Sequence, residues 1–193
     1  MTTPVRVVIA EDEAIIRLDL KEILEEESYE VVGETSRGDH AIELVRDLKP
    51  DLAILDIKMP GMDGLTAART IAGERLAAVL ILTAFSQHDL VEQAREAGAL
   101  AYLVKPFQKS ELIPAIELAM ARHAELTSLE RHVGDLEERL EARKLIDRAK
   151  GRLMSEHGLD EQAAWRFIQT RAMNERVKIA EIARRVVDGE LSP

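Results

Sequence analysis

The sequence predicts an α/β chain: a doubly wound, five-stranded parallel sheet joined by a long, partly coiled-coil helix to a small all-α three-helix bundle. Three observations carry this reading. From residue 4 to about 121, five short apolar runs alternate with amphipathic helical patterns, the rhythm of βαβ units with right-handed crossovers. From Ser110 to Gly158 the helical pattern has no convincing break, although Pro114 falls near its first turns and Gly134 in its middle. Beyond Gly158 only helical patterns remain.

Each element has a local reason. Val5, Val7, Val8 and Ile9 form a β-branched run that ends at Glu11, Asp12 and Glu13, and Ile15, Ile16, Leu20, Ile23 and Leu24 then recur at helical spacing. Tyr29, Val31 and Val32 begin a second strand; Gly38 opens a helix through Leu48 that Pro50 stops. Leu52, Ala53, Ile54 and Leu55 then run directly into Asp56, an apolar stretch that reads as a strand buried on both faces. A helix from about Leu65 to Ala72, a strand from Ala78 to Leu82 ending at Thr83, and a helix from Leu90 to Ala97 closed by Gly98 follow. The last strand, Leu100 to Val104, meets Lys105-Pro106.

With 46% hydrophobic residues but only 3% aromatic ones, the core must be built from Leu, Ile, Val and Ala. The absence of cysteine excludes disulfides and thiolate metal sites, and no stretch approaches a membrane span, so a cytoplasmic protein is expected. The net charge of −10 is uneven: residues 1–122 hold 13 Lys and Arg against 22 Asp and Glu, whereas residues 143–185 hold 11 against 6. The acidic part would repel nucleic acid while the C-terminal part could attract it.

Parallel strands point the same way, so Glu11, Asp12, Asp56, Thr83 and Lys105 should emerge on one edge of the sheet, where open α/β sheets hold their ligands. Any one of them could be a turn or a helix cap; together they point to a site. Crowded carboxylates raise one another's pKa unless a cation sits between them, and carboxylates with a backbone carbonyl and water suit Mg²⁺. Lys105 and Thr83 would meet phosphate oxygens, and Asp56 could attack phosphorus.

Residues 4–121 resemble a response-regulator receiver domain of flavodoxin-like fold, in the acidic pair Glu11 and Asp12, in Asp56, in the loop Met59-Pro60-Gly61-Met62-Asp63-Gly64, in Thr83 and in Lys105-Pro106. The resemblance implies Mg²⁺ held by Glu11, Asp12, Asp56 and the backbone carbonyl of Lys58. It also implies phosphorylation of Asp56 by a sensor histidine kinase, phosphoryl contacts from Thr83 and Lys105, and Tyr102 as an aromatic switch. An aspartyl-nucleophile phosphatase would carry a second Asp two positions after the first; Lys58 stands there, so no enzyme is expected.

Leu126, Leu129, Val133, Leu136 and Leu140 step by 3, 4, 3 and 4 within the linker helix, residues 122–142, a two-heptad seam suited to a weak homodimer or to packing on its own domain. In residues 143–187 the apolar positions Leu145, Ile146, Ala149, Leu153, Ala163, Ala164, Ile168, Ala172, Ile179, Ile182, Ala183 and Val186 fill a small core. Trp165 and Phe167 read as core residues rather than stacking platforms.

Ala149-Lys150-Gly151, Leu153-Met154, Gly158, Ala164, Ala172-Met173 and Ile182-Ala183 resemble an ANTAR domain, the RNA-binding output module of antitermination regulators, with Arg152 where a branched aliphatic is common. The RNA contacts expected are Lys144, Arg148, Lys150, Arg152, Arg171, Asn174 and Arg176. The whole chain is thus similar to the actinobacterial phosphorylation-dependent antitermination regulators. By that resemblance, phosphorylation would favour a homodimer that binds paired RNA hairpins. A DNA-binding regulator or a protein-interaction adaptor are the other classes the pattern allows.

Overall fold

A computed structural model describes residues 3–84 and 88–193. The elements run β1 (Arg6–Ala10), α1 (Ala14–Glu26), β2 (Glu30–Thr35), α2 (Gly38–Leu48), β3 (Leu52–Asp56), α3 (Gly64–Gly73), β4 (Ala78–Thr83), α4 (His88–Glu96), β5 (Ala101–Val104), α5 (Lys109–His157), α6 (Glu161–Glu175) and α7 (Ile179–Asp188). The chain divides into two compact units, Met1–Ser128 and Leu129–Pro193, with the division inside α5.

In the first unit all five strands are parallel, in the order β2-β1-β3-β4-β5. Every residue of β3 and β4 is buried, as expected of central strands covered on both faces. Successive side chains point to opposite faces of a strand, so these runs feed two cores. Val8, Ala10, Ala53, Leu55, Val79 and Ile81 pack with Ala41, Val45, Ala68 and Ile71 of α2 and α3. Val7, Ile9, Leu52, Ile54, Leu80 and Leu82 pack with Leu20 and Leu24 of α1 and with Leu112 and Ile116 at the start of α5.

Register fixes the site edge. Ala10 pairs with Leu55 and Thr35, Asp56 with Leu82, and Thr83 with Val104, so the residues that follow these positions leave the sheet side by side. Gly98, at φ 82°, ends α4 in the left-handed region as its position after Ala97 implied.

In the second unit Ala149, Leu153, Ala164, Ile168, Ala172, Ile182, Ala183 and Val186 form the core, with Leu145, Ile146 and Ile179 partly buried around it. Asp160 Oδ1 accepts from Ala163 N at 2.6 Å and starts α6, the cap expected from the sequence. Two expectations shift here. Ala163 is half-exposed and outside the core, and so is Trp165, 36% exposed, because α6 turns only its 164–168–172 stripe inward. Phe167 lies beside that stripe, half-buried against the core.

Candidate functional site

Residues at the ends of four strands, β1, β3, β4 and β5, with Leu90 of α4, build one pocket. It has a volume of about 300 Å³ and is lined by Asp12, Glu13, Asp56, Ile57, Lys58, Thr83, Ala84, Leu90 and Lys105. Main-chain hydrogen bonds hold the frame: Glu11 N donates to Thr35 O at 3.0 Å, Ile57 N to Leu82 O at 3.1 Å, and Lys105 N to Thr83 O at 2.7 Å. The backbone at Glu11, at Ile57 just past Asp56, and at Lys105 is thereby tied to a neighbouring strand.

Oxygens of Glu11, Asp12 and Asp56 lie within 4.8 Å of one another. Glu11 is fully buried, Asp56 is 5% exposed, and Asp12 is open to solvent. Lys105 Nζ stands 2.6 Å from Glu11 Oε2 and 3.1 Å from Asp56 Oδ1, with its own side chain 8% exposed. Burial first, and then the nearby Asp56 charge, push the Glu11 carboxyl up from its ordinary range, against the pull of Lys105. Asp56 is likewise raised, by burial and by Asp12, again against Lys105. Burial disfavours the Lys105 ammonium, but its pairing with Glu11 and Asp56 prevails and its pKa is raised.

Lys105 thus answers two of the three carboxylates in the cluster. The buried Glu11 Oε2 has the Lys105 ammonium at 2.6 Å as its partner. An all-oxygen set of three converging carboxylates fits a hard divalent cation. Glu11, Asp12 and Asp56 would hold it, and Lys58 lines the same pocket.

Two supporting features were not read from the sequence. Arg17 Nη1 donates to the Glu11 carbonyl at 2.5 Å, fixing the acidic turn from α1. Gly64 lies against Asp56 so closely that a Cβ there would fall 1.8 Å from the Asp56 carbonyl oxygen. Asp63 caps α3 by accepting from Thr66 N at 2.8 Å, which sets Gly64 at the helix start. The loop's glycines were noted as a motif, but which one touches the site is decided only in three dimensions. Thr83 is buried at the pocket rim, whereas Tyr102 on β5 is 47% exposed.

The seven residues expected to meet RNA are not gathered in the same way. Lys144 pairs with Glu141 at 2.7 Å and shares a groove with Arg148, Glu138, Glu141 and Glu181. Lys150 is held by Asp147 at 3.0 Å and Glu161 at 2.9 Å. Arg152 pairs with Glu156 at 2.9 Å and donates to the Val187 carbonyl at the end of α7. Arg171 and Asn174 lie together on α6, and Arg176 is its left-handed C-cap, φ 57°.

The family model for the response regulator receiver domain matches residues 7–117, and that for the ANTAR domain matches residues 134–187. The chain is 56% identical over 185 residues to the transcriptional regulatory protein PdtaR of Mycobacterium tuberculosis strain H37Rv, covering 96% of this chain and 90% of that protein. The signal receiver domain of NarL from Mycobacterium tuberculosis superposes with a TM-score of 0.60 at 33% identity, covering 62% of this chain and 98% of that one. A CheX–CheY–BeF₃–Mg²⁺ complex from Borrelia burgdorferi matches at a TM-score of 0.56 and 25% identity, over 58% of this chain and 87% of that one. No helix among the described residues is long and apolar enough to cross a membrane.

Proposed function

Because the chain belongs to the response regulators that join a receiver domain to an ANTAR domain, we propose that it is switched by phosphorylation of Asp56 and acts in the cytoplasm on gene expression by binding RNA. The observation that carries the reading is the Asp56 carboxylate, fixed at the end of β3, 3.1 Å from Lys105 and open to a pocket that also holds Asp12 and Thr83.

The phosphoryl donor is a phosphohistidine of a sensor histidine kinase. An Asp56 oxygen attacks phosphorus, the P–N bond breaks with its electron pair returning to the imidazole, and an acyl phosphate results. Glu11, Asp12, Asp56 and the Lys58 carbonyl would hold Mg²⁺, which would supply charge neutralisation for the phosphoryl group. Lys105 is already placed to hold a phosphoryl oxygen, and exchanging its Asp56 contact for that oxygen keeps it paired with Glu11. The Thr83 hydroxyl, at the rim, takes another oxygen, and the exposed Tyr102 ring is the element free to answer that movement.

Output follows through α5. Leu129, Val133, Leu136 and Leu140 are each more than half exposed, and Leu126 is 38% exposed. A second copy covering this stripe would remove it from water, and two heptads give a dimer weak enough for phosphorylation to control. The dimer presents two ANTAR units to paired hairpins in nascent RNA, and a terminator then fails to form. The test is RNA binding to a tandem-hairpin RNA, with and without acetyl phosphate and Mg²⁺, on the wild type and Asp56→Asn. Donor-dependent tightening in the wild type alone is expected; phosphorylation persisting in Asp56→Asn would overturn the assignment.

A further inference from the structure

The cations of the second unit fall into two kinds. Lys144, Lys150, Arg152, Lys178 and Arg185 each have a carboxylate partner. Arg166 and Arg171 on α6, like Arg143, Arg148 and Arg184 elsewhere in the unit, have no carboxylate ion pair among the described residues. The acidic residues of α6 are Glu161 and Glu175, one at each end, and they are taken by Lys150 and Arg185 from other parts of the unit. The middle of α6 therefore carries two uncompensated guanidinium groups.

Those two arginines border a groove of about 650 Å³ whose lining includes Phe167, Thr170 and Asn174. Positions 163, 166, 167, 170, 171 and 174 recur at intervals of three and four, so they form one face of the helix. Phe167 packs partly on the core and shows its remaining surface to the groove. Leu159, Ala163 and Pro193 complete its lining, and no acidic side chain lines it. In this it differs from the groove beside α7, where Glu138, Glu141 and Glu181 stand among Lys144, Arg148, Lys178 and Arg184 and would face any phosphate placed there.

Resting on the RNA-binding reading above, we infer that the α6 groove is a subsite for one unpaired base of an RNA loop. Its volume lies within the range of small-ligand pockets. The base stacks on the exposed part of Phe167. The Asn174 amide, with donor and acceptor groups, and the Thr170 hydroxyl meet its edge. Arg166 and Arg171 take the flanking phosphates, with Arg also able to stack on a neighbouring base. Phe167 thus serves both the core and the ligand, and Arg166 and Thr170 join Arg171 and Asn174 as RNA contacts.

The test uses the full chain and a stem-loop RNA carrying 2-aminopurine at successive loop positions, titrated over a range of salt concentrations. Arg171→Ala is expected to weaken every loop sequence alike and to lower the slope of log affinity against log salt by about 0.7 to 0.9, one phosphate contact. Asn174→Ala, at an exposed position, is expected to leave that slope unchanged and to level the affinities for the four bases at one loop position. Phe167→Leu keeps an apolar side chain on the core and is expected to bind about tenfold more weakly, the scale of one lost base stack. It should also abolish the 2-aminopurine response at that same loop position. RNA binding with slope, base preference and fluorescence unaltered in the Arg171 and Asn174 variants would place the RNA elsewhere and overturn the subsite alone. Failure of the wild type to bind any stem-loop RNA would overturn the RNA reading together with it.

Discussion

The charges of the receiver and those of the ANTAR unit are held by different means. In the receiver, Glu11, Asp56 and Lys105 are buried, and the main chain around each is hydrogen-bonded to a neighbouring strand, so an ion pair at 2.6 Å and another at 3.1 Å follow from strand order. In the ANTAR unit the charges sit on helix surfaces, and whether one is available to a ligand depends on which carboxylate a neighbouring helix brings to it. Lys150 and Arg171 look alike in sequence; Glu161 and Asp147 occupy the first, and nothing among the described residues occupies the second. A functional charge can be read from sequence where backbone topology determines its neighbours, and much less where side chains do.

The two units should also differ in how they fail. Leu80→Ala in the receiver and Ile168→Ala in the ANTAR unit both truncate fully buried side chains, and each is expected to cost about 2–5 kcal/mol. The receiver has two cores on either side of a sheet, whereas the eight core residues of the other unit include four alanines, so the same loss is the larger fraction there. Hydrogen exchange should show Ile168→Ala deprotecting α6 and α7 while β1, β3 and β4 keep their protection. Uniform loss of protection in both units would mean that they unfold together.

A smaller effect is expected at Gly64. Because a Cβ there would fall 1.8 Å from the Asp56 carbonyl oxygen, Gly64→Ala must move the backbone of the site; about 1–3 kcal/mol of stability should go. The rate of phosphorylation by acetyl phosphate should fall more than stability does, since Asp56 itself is displaced. Equal rates in the two proteins would show that the loop gives way without disturbing the carboxylate. The smallest effect belongs to Lys150→Gln. Its ion pairs to Asp147 and Glu161 at the surface contribute little to stability, and with those carboxylates already answering its charge the salt dependence of RNA binding should stay as in the wild type. A lowered slope would keep Lys150 among the RNA contacts and narrow the distinction between paired and unpaired cations.

Much of the receiver was legible because five apolar runs gave the strands, parallel order gave the shared edge, and the residues just past those runs gave the cluster. What could not be read there is the support: Arg17 reaching the Glu11 carbonyl, and Gly64 against Asp56, depend on close approaches between segments. In the second unit the helical stripe of α6 was legible in Ala164, Ile168 and Ala172, yet the same periodicity drew Ala163 and Trp165 into a core that the structure leaves them outside. Arg166 was legible only as one of the unit's many cations, since what sets it apart is its place beside Phe167 in the α6 groove.

Arg152 holds the end of α7 through the Val187 carbonyl, a group present at that position whatever side chain stands there. A contact of this kind leaves no paired substitutions behind it: position 187 is free to change its side chain while 152 stays basic. Among related chains that keep this cap, position 152 would therefore show constancy without covariation, the statistical imprint expected of a residue that touches an invariant nucleic acid. Telling the two apart takes a measurement of helix stability, because Arg152→Ala should loosen α7 in the absence of any RNA.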